Sequence, residues 1–223
     1  MGADFEEQRV KLVDGQLRTT DVTSLSLLDA FLDVPRELFV PPRRKSLAYI
    51  DEDIEITPPA SPVRRFLMEA SPFAKMLQLA DIAPGDFVLD VGTGTGYSAA
   101  ILSKLAGSVI ALEADAALAD EASANLAELG CDNVAVVQAA LPGGYGSEAP
   151  YDVIVIEGAV DKVPDALFEQ LKEGGRLVVV EGYGNAGVAR LYLKQGGIVS
   201  GRRGFNAAIK PLPGFQKEPA FEF

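Results

Sequence analysis

One stretch carries most of the chemical information in this chain: Val88-Leu89-Asp90-Val91-Gly92-Thr93-Gly94-Thr95-Gly96-Tyr97. An apolar run ends in an acid, alternating glycines follow, and an aromatic opens the next segment. Glycines at such a place let a ligand approach the backbone, and a helix starting there offers unpaired N–H groups. Glu113 closes the next apolar run, 21 residues after Gly92. An acid at about that separation is placed to accept from ribose hydroxyls. The dinucleotide fingerprint G-x-G-x-x-G needs glycine where this chain has Tyr97. The observed G-x-G-x-G with Asp90 ahead of it suits S-adenosylmethionine instead. That cofactor has no pyrophosphate to cradle, but it has an ammonium that Asp90 can balance through water or backbone groups. The plain alternative is a glycine turn that merely joins a strand to a helix. The strand, helix and Glu113 in register weigh against it.

Composition removes other chemistries. The chain has no histidine, so it has no imidazole base and no His-ligated zinc. Its one cysteine, Cys131, can form neither an internal disulfide nor a Cys-rich metal site, so no metal is expected. The 20 Lys and Arg against 32 Asp and Glu leave a charge of −12, which repels nucleic acid. Arg43-Arg44-Lys45 and Arg202-Arg203 read as solvated basic clusters. No apolar run approaches ~18 residues, so no membrane span is expected. The charged N-terminus lacks an apolar signal core. A cytoplasmic protein is the expectation, and the sequence leaves its oligomeric state open.

The elements that must position the glycine loop follow from periodicity. Phe5, Val10, Leu12, Val13 and Leu17 recur at helical spacing. Leu25, Leu27, Leu28, Phe31 and Leu32 form the stripe of a second helix, which Pro35 should stop. Residues 56–65 read as an irregular, proline-rich connector. Ser71 reads as an N-cap with Pro72 behind it. Strands are expected at 87–91, 108–113, 133–138, 151–158 and 176–182, with helices at about 97–106, 115–129 and 164–175. Such alternation means a parallel sheet covered on both faces. Residues 187–210 read as antiparallel edge strands, and the tail from Pro211 as a segment packed across the surface.

These segments resemble the protein-L-isoaspartate O-methyltransferase family over most of the chain, as a divergent member. Asp14-Gly15-Gln16-Leu17-Arg18 and Asp33-Val34-Pro35-Arg36-Glu37-Leu38-Phe39-Val40-Pro41 are similar to its opening helices. The 88–97 loop, Ala149-Pro150-Tyr151-Asp152 and Gln170-Leu171-Lys172-Glu173-Gly174-Gly175-Arg176-Leu177-Val178 match as well. The resemblance implies an α/β, Rossmann-like S-adenosylmethionine-dependent methyltransferase fold. Residues 1–70 would be an N-terminal helical extension and connector, and 71–223 the methyltransferase core with antiparallel C-terminal strands. The implied activity is methyl transfer to a carboxylate of a protein or peptide, in protein repair.

Three departures stand against that pattern. The family serine held to matter for the isoaspartyl substrate corresponds to Ala70, which leaves the catalytic residue unknown. The acid that approaches adenine is absent from Ala139-Ala140-Leu141, so backbone groups of Ala140 and Leu141 would take over. Near the C-terminus, Arg203-Gly204-Phe205-Asn206-Ala207 replaces the family's Arg-Phe-Val-Pro-Leu. The expected cofactor residues are therefore Asp90, Val91, Gly92, Thr93, Gly94, Gly96, Tyr97, Glu113, Ala114, Ala140, Leu141 and Glu157.

A carboxylate acceptor is ionised at neutral pH and needs no general base, which accords with the missing histidine. It wants a cationic clamp. Arg64 and Arg65 are the candidates, with Glu69 beside them. A solvated basic pair is the bland alternative for the two arginines. The runner-up reading keeps the fold and the cofactor but has a different acceptor, or lost isoaspartyl activity. A non-catalytic scaffold is the reading from another class.

Overall fold

The computed structural model describes residues 4–58 and 60–216. Asp4 opens helix α1 (Phe5–Leu12), its carboxylate accepting the Glu7 N–H at 3.0 Å. A π-helical turn continues it over Val13–Leu17. Helix α2 (Leu25–Asp33) turns Leu27, Leu28, Ala30 and Phe31 inward and stops before Pro35. Leu25 departs from the expected stripe: at the first position of the helix it is 69 % exposed.

Strands β1 (Ile54–Glu55) and β2 (Phe66–Leu67) pair antiparallel, so the connector is the loop of a small ribbon. Helix α3 (Ala70–Ala80) begins two residues earlier than expected. Ser71 is therefore inside the first turn and is not the N-cap. Asp51 does the capping from a distant loop, accepting the Ser71 N–H at 3.0 Å and its hydroxyl at 2.5 Å. Asp51→Ala should cost about 1 kcal/mol, the usual worth of a lost cap. In thermal unfolding that is a drop of roughly 2–4 °C for a chain of this size. An unchanged midpoint would show that the loop does not hold the helix.

The core alternates as expected: β3 (Phe87–Val91), α4 (Tyr97–Leu105), β4 (Ser108–Glu113), α5 (Ala116–Glu128), β5 (Val134–Gln138), β6 (Tyr151–Val160). Asp115 caps α5 through the N–H groups of Ala117 and Leu118. The helix expected at 164–175 is only α6 (Asp165–Glu169). Leu171 already starts β7 (Leu171–Glu181), paired with Tyr151, because its side chain is buried and Gly174 turns the chain at φ +79°. Strands β8 (Val188–Gln195) and β9 (Ile198–Asn206) complete the edge antiparallel.

The strand order is β5-β4-β3-β6-β7-β8-β9, parallel from β5 to β7. Order reverses between β3 and β6, and ligands of open α/β sheets sit beyond the carboxyl ends at that point. One buried cluster joins Leu12, Phe31 and Phe39 of the N-terminal segment to Phe73, Ala99 and Val155. The extension thus shares its core with the sheet. After β9 the chain returns beside β6: Ala159 donates to the Lys210 carbonyl and Leu212 donates back to Ala159. Leu212 and Phe215 are buried, as the surface-packing tail predicts, while residues 217–223 of that tail lie outside the described residues. Among the described residues, no helix is long and apolar enough to cross a membrane.

Candidate cofactor and acceptor site

Strand β3 delivers the glycine loop to the reversal point. Gly92 and Thr93 donate to the Leu112 carbonyl, which ties the loop to β4. Gly92 and Gly94 adopt φ of +88° and +60°. A Cβ on Gly94 would stand 2.8 Å from Ile56 Cδ1, so the loop is closely overlaid by the connector. Gly96 serves packing: its Cβ would meet the Ala122 Cβ of α5 at 3.2 Å. Val91 is core.

Asp90 is fully buried, and its Oδ2 accepts the Ser98 hydroxyl at 2.6 Å. Its Oδ1 has no partner. Burial, opposed by hydrogen bonds from Ser98 and Thr93, pushes the carboxyl up to about 7. Glu157 sits where β6 slips register against β7 between Val155 and Ala159, and such bulges re-aim side chains. Its Oε1 is also buried without a partner, and burial plus the neighbouring Asp90 raise its pKa well above the usual carboxylate range.

Tyr97 packs among Phe31, Phe39 and Phe73 with the Arg36 guanidinium 4.7 Å over its ring. Its hydroxyl and Arg36 Nη1 are unpartnered as well. Tyr97, Thr93, Gly92 and Glu157 line one small cavity. Buried polar atoms normally find partners, so these orphans, some lining that cavity, mark a place built for a polar ligand.

Glu113 is fully buried at the end of β4. Its carboxylate accepts the N–H groups of Gly94, Ala114 and Asp115 at 2.8, 2.8 and 3.0 Å. Arg65 Nη1 completes the set with an ion pair, and Nη2 donates to the Gly92 carbonyl at 3.0 Å. Arg65 also walls a cavity of about 320 Å³ whose other sides include Ala114, Asp115, Ala140 and Leu141. The expected cofactor residues after β4 and β5 thus line one pocket.

The two adjacent arginines part company. Arg65 is 4 % exposed, whereas the Arg64 side chain is 66 % exposed and pairs with Glu55 at 3.4 Å. Glu69 lies beside Asp51, Glu52 and Asp53, and burial followed by those like charges lifts its carboxyl to about 7. Ala70 is fully buried at the first turn of α3. Sequence reasoning missed the Arg65–Glu113 pair, the buried Arg36 and the Ser98 bond to Asp90. Arg36 lies inside the VPRELFVP segment, a signal of importance that carries no role by itself.

The residue pattern of the family described as Protein-L-isoaspartate(D-aspartate) O-methyltransferase matches residues 7–212. The chain belongs to the protein-L-isoaspartate (D-aspartate) O-methyltransferase family. The protein-L-isoaspartate O-methyltransferase of Koribacter versatilis is 37 % identical over 95 % of this chain and 93 % of its own. Protein-L-isoaspartate O-methyltransferase 2 of Archaeoglobus fulgidus is 39 % identical over 80 % of each chain. A solved protein-L-isoaspartate O-methyltransferase superposes with a TM-score of 0.81 at 29 % identity, over 92 % of this chain and 66 % of that one. A Plasmodium falciparum structure, described as a complex of such an enzyme with S-adenosyl-L-homocysteine, superposes at 0.75 and 20 % identity, over 91 % of this chain and 96 % of that one. The Rossmann-like methyltransferase fold is that of these relatives.

Proposed function

We propose that this family member binds S-adenosylmethionine across the β3–α4 loop and transfers its methyl group to a carboxylate of a protein or peptide. One observation carries the reading: two orphaned carboxyl oxygens, on Asp90 and Glu157, meet beside a positive-φ glycine loop at the reversal point of the sheet. A ligand with an ammonium and a sulfonium would draw these raised carboxyls to their ionised form. The pocket of Ala114, Ala140 and Leu141 would take adenine, and Glu113 the ribose. When bound, the cofactor supplies an electrophilic methyl group. The protein's part is positioning and exclusion of water, since an ionised acceptor needs no base. Action on isoaspartyl residues would make this a protein-repair enzyme, and a cytoplasmic location goes with that role.

Ala70 and the acids around Glu69 favour a second reading of the acceptor side. With no hydroxyl at 70 and three like charges near Glu69, the acceptor differs from the usual isoaspartyl peptide. Titration calorimetry with S-adenosylhomocysteine, followed by methyl release from an isoaspartyl peptide, tests both. Binding with turnover supports the first reading and binding without turnover the second. Gly94→Asp should abolish binding, because its side chain enters space already filled by Ile56 at 2.8 Å. Undiminished affinity in that variant would displace the site from the glycine loop.

A further inference from the structure

Arg65 stands where the proposed ligand must go. Its guanidinium bridges Glu113 and the Gly92 carbonyl, and a Cβ on Gly92 would lie 3.3 Å from Arg65 Nη2. With Arg65 in place, Glu113 Oε1 accepts from Ala114, Asp115 and Arg65, and Oε2 from the Gly94 N–H. Oε2 keeps room for one further donor, short of the two hydroxyls of a diol. The same side chain lines both the 320 Å³ pocket at Ala114 and Leu141 and the small cavity that holds Glu157 and Leu212. A ligand spanning both would lie against it.

We infer that Arg65 is an internal competitor for Glu113, a residue that sets cofactor affinity by occupying the ribose seat until the cofactor displaces it. The inference rests on the proposed cofactor site. Its physics is that of a binding-competent state populated only in part, where apparent affinity falls by the competent fraction. Removing the arginine does not strip Glu113 of support. The N–H groups of Gly94, Ala114 and Asp115 remain to hydrogen-bond the carboxylate.

The test is calorimetry with S-adenosylhomocysteine on the wild-type chain, Arg65→Ala, Arg65→Met and Glu113→Gln, with the ligand-induced thermal shift as a second readout. Arg65→Ala and Arg65→Met should bind about tenfold more tightly or better, as a removed conformational tax predicts. Their unliganded midpoints should fall while the shift produced by ligand grows. Affinity gained without Arg65 separates competition from a merely structural role, which would weaken binding. Unchanged or weaker binding in both Arg65 variants, with Glu113→Gln also weaker, would overturn the competitor and leave the cofactor site standing. No binding by any form, the Arg65 variants included, would overturn both.

Discussion

Glu113→Gln should be the most damaging conservative substitution in this protein. The glutamine keeps shape but leaves Arg65, 4 % exposed, without the counter-charge it pairs with. Breaking a buried pair by neutralising one partner typically costs about 3–5 kcal/mol. For a chain of this length that lowers the melting midpoint by roughly 10 °C. Cofactor binding should be lost in the same variant, since the ribose seat loses its charge. Adding Arg65→Met to Glu113→Gln should restore most of the stability and none of the binding. A Glu113→Gln protein that melts with the wild type would show that the pair is not sealed from water.

The second large effect is a stability that declines as pH rises through neutrality. Asp90 and Glu69 titrate at about 7 in the folded state, and Glu157 and Asp53 are also raised, burial being the first cause in each. The folded state therefore holds more protons than the unfolded chain between the ordinary carboxylate range and about pH 7. Stability is fully present below the unfolded values and is lost as pH climbs through the folded ones. The loss between pH 5.5 and 8 should be on the order of 2 kcal/mol, after allowing for the coupling of Asp90 and Glu157. Asp152, whose pKa is lowered by Lys172 and the Phe87 N–H against its own burial, acts at lower pH and leaves this window alone. Urea unfolding at the two pH values measures the slope. Asp90→Asn keeps the Ser98 bond and should flatten it. A wild-type stability that is level or rising over that range would refute the protonated crevice.

What the sequence made legible is what is local. The β3 glycine loop and Glu113 at the end of β4 follow from strand–turn–helix spacing; Ala140 and Leu141 come from the family resemblance, and they line one pocket with Ala114. The end of α6 was not legible, because QLKEGG carries helix formers while the tertiary pairing of Tyr151 with Leu171 decides the outcome. Ser71 misled for a similar reason: a good capping residue was overridden by Asp51, twenty positions away. Arg64 and Arg65 are chemically identical neighbours. Only the turn into β2 determines that one is solvated and the other seals Glu113. Long-range pairing leaves no local trace, so this part of the site could be read only in three dimensions.

The return of the chain after β9 has a practical side. Residues 210–212 run beside the bulged end of β6, and Gly158 admits them by lacking a side chain: a Cβ there would lie 2.8 Å from Leu212 Cβ. The same Leu212 side chain reaches within 2.9 Å of the corresponding point on Gly92. The roof of the crevice is thus the 210–212 segment, held by two backbone bonds to Ala159. Amide exchange at Ala159 and Leu212 should slow when ligand fills the space beneath. In this protein those two amides are reporters of occupancy.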